Sequence, residues 1–195
     1  MARAMQRTHE PLSVKTFRAW AASRPDEEHW ELIDGVPILM MPATRDRRRV
    51  ASNLERLLNY ALELHRPALA AYQRIGVNLG PVVEHYDPEP DVAIVDADPG
   101  RDPRYSDRFY LAAEIVSDSD RTTADTKREI YKRHPHCRCV LVIRQDQCPV
   151  GIDLRLDAGW HQQVLSHPDD GLVLPEFGLQ CAVRDLYKGT AIAQL

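Results

Sequence analysis

Three charged residues sit where the hydrophobic pattern leaves no room for charge. Glu114 interrupts the apolar run 109–116, Asp91 opens the run 92–95 after Pro88 and Pro90, and Lys127 falls on the apolar stripe of a helical segment. Burying an unpaired carboxylate costs several kcal/mol, so Glu114 needs a cation, a hydrogen-bond network, a shifted pKa or solvent at the strand's end. Ala124, Lys127, Ile130, Tyr131 and His134 recur at i, i+3, i+4 spacing, which turns Lys127 towards a sheet. Each residue also has a plain structural reading. These are an ion pair for Glu114, local backbone bonding for an aspartate at a strand start, and snorkelling along the aliphatic stem for Lys127. Taken together they describe chemistry. Two carboxylates on adjacent strands can hold a hard divalent cation through oxygen, the cation can polarise a phosphoryl oxygen and acidify a water, and a lysine can position that water or stabilise developing charge. That set suits phosphodiester hydrolysis.

The elements that must position these residues can be read along the chain. Ser13 caps a short helix with Phe17, Trp20 and Ala21 on one face, ended before Pro25. Residues 29–33 and 36–41 flank Asp34-Gly35, the signal of a tight hairpin. Residues 46–65 carry Val50, Leu54, Leu57, Leu58, Ala61 and Leu62 as a helical stripe. The leading turn of that helix holds Arg45, Arg47, Arg48 and Arg49, which the positive end of a helix dipole disfavours unless an anion or carboxylate answers them. A solvated basic turn is the alternative. Residues 72–79 are predicted to form a strand, and 82–90, preceded by Pro81, an irregular approach to the next. The near-continuous apolar runs 92–95, 109–116 and 140–143 read as strands covered on both faces, at the sheet centre. A helix over about 123–134 and two strands within 152–165, around Asp157-Ala158-Gly159, complete the set. There is no repeat and no linker, so residues 1–195 are expected to form one mixed α/β domain.

Composition sets the bounds. With 195 residues, 44% apolar and 28% charged, the chain can bury a sizeable core and is far from a disordered composition. Its net charge of −4 excludes a global positive field for nucleic acid, so such contact must come from a local patch. No apolar run approaches the roughly 18 residues of a membrane span, and residues 1–10 hold no secretory hydrophobic stretch, so the chain reads as cytoplasmic. Cys137, Cys139, Cys148 and Cys181 show neither zinc spacing nor a disulfide framework and are expected to be buried free thiols.

The order hairpin, helix, Pro90-Asp91, Glu114 and Lys127 resembles the PD-(D/E)xK nuclease fold. More narrowly, four stretches between about Leu12 and Leu186 resemble the Uma two (Uma2) family of restriction-endonuclease-like proteins. They are Trp30-Glu31-Leu32-Ile33-Asp34-Gly35 with Met40-Met41-Pro42, then Pro90 to Val95, then Glu114-Ile115-Val116-Ser117 with Lys127 and Tyr131 downstream, and a strand pair closing on Leu174-Pro175-Glu176-Phe177. The resemblance implies an α/β, restriction-endonuclease-like architecture, a mixed central sheet flanked by helices with an N-terminal hairpin. It also implies a Mg²⁺ or Mn²⁺ site at Asp91 and Glu114. The position two after Glu114 is Val116, so the strand lysine of the parent motif is absent and Lys127 is its replacement. Glu31 matches an early acidic residue that could orient a metal-bound water; a hairpin-surface glutamate is its other reading. Two departures stand out. Where relatives carry a histidine at the start of the long helix, this chain has Arg47-Arg48-Arg49, and Ser117-Asp118-Ser119-Asp120 replaces a Ser-Pro-Ser.

The expected function is thus a divalent-metal-dependent endonuclease acting on DNA, with Asp91, Glu114, Lys127 and Glu31 at the site. Arg45, Arg47 and Arg48 would contact phosphates, with Arg121 and Lys132 as further contacts, and a homodimer would offer two sites to a duplex. The alternative is a noncatalytic module that keeps the fold and binds nucleic acid or a protein. A glycosidase with paired carboxylates leaves the inward lysine unexplained. On this reading Lys127→Met keeps the volume and spares stability, and Asp91→Asn spares the fold by relieving repulsion between like charges.

Overall fold

Ser13 Oγ accepts a hydrogen bond from the Thr16 amide at 3.2 Å and starts α1 (Val14–Ala21), which buries Phe17. In this computed structural model residues 10–194 are described, except 26, 81, 99, 101 and 102; the expectations that fell on residues 1–9 and on Pro81 lie outside the described residues. β1 (Trp30–Ile33) and β2 (Val36–Leu39) pair antiparallel as the expected hairpin. Its turn residues Asp34 and Gly35 have φ of 53° and 74°, the left-handed pair that a two-residue turn needs to match strand twist. A Cβ on Gly35 would lie 2.3 Å from Pro11 Cβ, so the segment before α1 crosses the turn only because glycine stands there.

Thr44 caps α2 (Arg45–His65), accepting from the Arg47 amide at 3.1 Å, and the buried stripe Val50, Leu54, Leu58 and Leu62 lays this helix on the sheet. The chain continues through β3 (Leu69–Tyr72), β4 (Gly76–Val77), β5 (Val92–Asp96), β6 (Tyr105–Ser106) and β7 (Phe109–Val116). Then come α3 (Arg121–Tyr131), β8 (Cys139–Arg144), β9 (Val150–Leu156), β10 (Gly159–Leu165), β11 (Gly171–Leu174), β12 (Leu179–Ala182) and α4 (Val183–Leu186). Two expectations need correction: Cys137 and Cys139 are buried free thiols but Cys148 and Cys181 are only half-buried, and one strand is misplaced. The strand predicted over 72–79 is not continuous: β3 ends at Tyr72, Arg74 turns with φ of 56°, and a two-residue β4 follows in a separate small sheet. The real strand begins earlier because Asn59 of α2 binds both the N–H and the C=O of Ala71, fixing β3 beside the helix.

The main sheet has the order β10-β9-β8-β7-β5-β3. Only β7 and β8 run parallel in it, and α3 is the crossover such a pair requires. The pleat sorts the central strands into two packed faces. Val92, Ile94, Leu111, Ala113, Ile115, Leu141 and Ile143 meet α2, whereas Ala93, Val95, Ala112 and Val140 meet Ile130 and Tyr131 of α3. Each fully buried leucine or isoleucine contributes about 1.5–3 kcal/mol, which is why the apolar runs place these strands centrally. Val92 pairs with Ala113 across β5 and β7, so one step further on, Asp91 stands beside Glu114, and alternation turns both to the α3 face. The observed architecture is a mixed α/β fold with helices on both faces of the sheet and an N-terminal hairpin, as expected.

Candidate active site

Lys127 projects from the middle of α3 towards the sheet and is 3% exposed. Its Nζ lies 2.8 Å from Glu31 Oε1 of β1 and 2.8 Å from Glu114 Oε1 of β7. Tyr131, one helical turn on, donates its hydroxyl to the same Glu114 oxygen at 2.7 Å. Glu31 Oε1 also accepts the Glu89 amide at 2.9 Å, while Glu31 Oε2 is buried without a hydrogen-bond partner. These contacts correct two plain readings. Lys127 does not snorkel, and Glu31 is no surface glutamate of the hairpin, being 1% exposed. They also correct the expectation for Lys127→Met, which would strip two buried carboxylates of their shared cation.

Charge states follow from the geometry. Burial raises the Glu114 carboxyl to about 7; Lys127 opposes that rise, and Asp91 and Glu31 add to it. Burial alone would lower the Lys127 ammonium, but Glu114 and Glu31 outweigh it and hold the pKa above the usual lysine value. Lys127 therefore keeps its proton and is a fixed positive charge rather than a base. Burial, with Glu114 and Glu31 nearby, lifts the Tyr131 hydroxyl well above its ordinary value, so it remains a neutral donor.

Asp91 is held differently. Arg47 Nε reaches its Oδ1 at 3.0 Å and Oδ2 at 3.1 Å, Arg47 Nη2 reaches Oδ2 at 2.9 Å, and the Ile115 amide donates to Oδ2 at 2.7 Å. The carboxylate that the arginine-rich turn called for is thus Asp91. Burial pulls the guanidinium down, but Asp91, through charge and hydrogen bonds, with Glu114 and Asp120 beyond, leaves its pKa raised. Asp91→Asn accordingly removes a paired charge as well as relieving repulsion between like charges.

A cleft of about 360 Å³ opens beside this cluster, lined by Glu31, Arg47, Glu114, Ser117, Asp120 and Lys127 together with Ile38 and Leu39 of β2 and Met40 and Met41 that follow it. Of the five basic residues singled out in the sequence, Arg47 alone lines it. Arg45 and Arg48 are exposed on the same first turn of α2. Arg121 lies in a neighbouring groove with Arg128 and Arg144. Lys132 ends α3 with its Nζ 2.6 Å from Glu129 Oε1. Sequence reasoning gave no role to Tyr131 and read Asp120 only as an extra acid that could recruit metal or repel phosphate, not as a partner of Arg47. The signal for Tyr131 was its i+4 spacing from Lys127, and Asp120 lies 3.7 Å from Arg47 Nη1.

The donor set is made of carboxylate oxygens, the ligand type of a hard cation. Among the described residues no group of three His, Cys, Asp or Glu side chains converges to hold a metal. Mg²⁺, however, keeps several waters and is commonly bound through one or two carboxylates plus substrate phosphate. Asp91, just before β5, and Glu114 on the adjacent β7 offer that oxygen pair, Asp91 already holds a cationic group, and Glu31 Oε2 is an uncommitted acceptor. The residues fit such an ion as a two-carboxylate site.

Comparison with known proteins bears on the fold and the family. No curated protein matches the chain. Solved structures do, among them a "putative nuclease belonging to DUF820 from Anabaena variabilis ATCC 29413", with a TM-score of 0.71 at 17% identity, covering 91% of this chain and 98% of that one. At that identity the likeness establishes the fold. The model of the Uma2 family, described as "Putative restriction endonuclease", matches residues 14–184, which takes in the hairpin, α2, Asp91, Glu114, Lys127 and the closing strand pair. With the match running from the first helix to the last, this chain belongs to the Uma2 family.

Proposed function

We propose that this protein is a divalent-metal-dependent endonuclease that hydrolyses DNA phosphodiester bonds. The observation carrying this reading is the placement of Asp91, at the entry to β5, beside Glu114 of the paired strand β7, with Lys127 buried against Glu114 in the wall of the cleft. Asp91 and Glu114 would hold Mg²⁺ or Mn²⁺, which when bound supplies Lewis acidity at a phosphoryl oxygen and acidifies a water. Lys127 holds a permanent positive charge where negative charge grows on the phosphate, and being fixed by two carboxylates it needs no reorganisation at that moment. Glu31 acts through Lys127 as a positioning residue, and its Oε2 is the acceptor available to orient a water. Tyr131 fixes the Glu114 carboxyl. Arg45, Arg48 and Arg121 are exposed and would meet backbone phosphates, with Lys132 more remote. At a net charge of −4 such binding is salt-sensitive and weak without specific contacts. Cutting both strands of a duplex needs two such sites, for which a homodimer is the simplest arrangement.

A second reading, a noncatalytic module binding nucleic acid or protein, is favoured by one observation: Asp91 is already saturated by Arg47 and the Ile115 amide. Supercoiled plasmid incubated with Mg²⁺, Mn²⁺ or EDTA separates the two. The enzyme reading expects nicking that requires the divalent ion and disappears in Asp91→Asn and Glu114→Gln. Plasmid that is bound but left intact under all three conditions supports the module.

A further inference from the structure

Arg47 is held far more firmly than a phosphate-contacting surface residue. Its Nε and Nη2 grip both oxygens of Asp91 at 2.9 to 3.1 Å, in the planar fork arrangement that makes arginine–carboxylate pairs both strong and directional. The cleft supplies a second observation. Arg47 lines it together with Glu114 and Lys127, and Asp91 does not, so the guanidinium stands at the face Asp91 would turn to an incoming ion. A third is the alternative partner within reach: Asp120 Oδ2 lies 3.7 Å from Nη1, on the turn that leads into α3. Four carboxyl groups (Glu31, Asp91, Glu114 and Asp120) share the neighbourhood with two cations, Arg47 and Lys127, so Arg47 has more than one acidic partner within reach.

We infer that Arg47 is a displaceable internal cation that occupies Asp91 in the metal-free protein, and that a divalent ion binds Asp91 only by moving the guanidinium towards Asp120. This rests on the proposed role of Asp91 and Glu114 as metal ligands. A guanidinium and a divalent ion cannot share one carboxylate without strong repulsion between like charges, so the two compete, and the affinity observed for the ion is the intrinsic affinity reduced by the fraction of molecules in which Arg47 is seated. Arginine keeps its charge across the neutral range, so Arg47 itself adds no pH dependence to the competition, whereas a histidine at this position would add one.

The test is calorimetric titration of Mn²⁺ into the wild type, Arg47→Lys and Arg47→Met, with a thermal melt of each. Lysine keeps the charge and loses the fork, so it separates displacement from through-space repulsion. We expect Arg47→Met to bind Mn²⁺ about tenfold tighter or more, with Arg47→Lys between it and the wild type, since losing one charge-assisted bidentate pair corresponds to at least that factor. A second measurement needs no variant. The Nε–H proton of Arg47, followed by NMR and assigned by its disappearance in Arg47→Lys, should be protected without metal and should shift and lose protection on saturation with diamagnetic Mg²⁺. Equal Mn²⁺ affinity in all three proteins, or an Arg47 Nε–H unmoved by bound Mg²⁺, overturns the displacement and leaves the metal site standing. Absence of metal uptake in the wild type and in both variants overturns the displacement together with the metal site it rests on.

Discussion

Lys127 Nζ and Glu31 Oε1 meet at 2.8 Å although 96 residues separate them in the chain, and both side chains are almost wholly buried. The pair ties α3 to the β1–β2 hairpin, so one interaction serves both the docking of the hairpin, which backbone bonds between Leu32 and Asp87 also hold, and the charge balance of the cleft. Because Lys127 also neutralises Glu114, it is the charge on which both buried carboxylates rely.

Lys127→Met is therefore expected to destabilise the protein by about 3–5 kcal/mol at pH 8, the usual cost of removing one partner from a buried charge cluster. The stabilisation from lysine is fully present below the lysine pKa of about 10.4, so the wild type retains it at both pH 8 and pH 5.5. In the variant the uncompensated carboxylates are relieved by protonation, and the deficit should shrink as pH falls. Urea denaturation of both proteins at the two pH values checks this; equal stability at pH 8 would show that Lys127 is not the compensating charge.

Glu89 offers a cleaner titration. Burial lifts its carboxyl to about 7, against partial relief from Arg74. With a folded pKa above the unfolded value of about 4.3, the folded state binds the proton more tightly, so this group erodes stability as pH rises from about 4.5 to about 7. Glu89→Gln removes that slope. The melting temperature of the variant relative to the wild type should rise between pH 5 and pH 7.5, and a pH-independent difference would contradict the assignment.

Asp91→Asn should cost about 1.5–3 kcal/mol of folding stability in the absence of metal, the range for hydrogen bonds to charged groups. In a double-mutant cycle with Arg47→Met, the two losses should fall short of additivity by about 0.5–3 kcal/mol, because each removes the same pair. Additive losses in denaturant titrations would mean that the pairing contributes nothing in solution.

Gly35→Ala tests the hairpin that carries Glu31. A left-handed backbone alone costs an alanine about 1–2 kcal/mol, and the contact with Pro11 adds to it. A melting temperature unchanged from wild type would show that the turn relaxes freely.

Much of the fold and of the candidate site was legible because those signals are local. Asp34-Gly35 announced the hairpin, near-continuous apolar runs announced the central strands, and charges at apolar positions announced Glu114 and Lys127. Periodicity tells which way a side chain faces from its own element, but not what it meets on another. So the partners of Lys127 on β1 and β7 were beyond reach, as was the grip of Arg47 on Asp91 across 44 residues. The error at 72–79 has the same origin. Tyr72 closes β3 instead of opening a strand, because α2 holds Ala71 through Asn59.

The central claim is that Asp91 and Glu114 together hold a divalent ion, and anomalous scattering from crystals of the wild type grown or soaked with Mn²⁺ tests it most directly. The account predicts a peak within about 2.5 Å of a carboxylate oxygen from each residue, with the Arg47 guanidinium moved off Asp91. Crystals that take up no Mn²⁺ at this pair, with Arg47 still seated on Asp91, would contradict it.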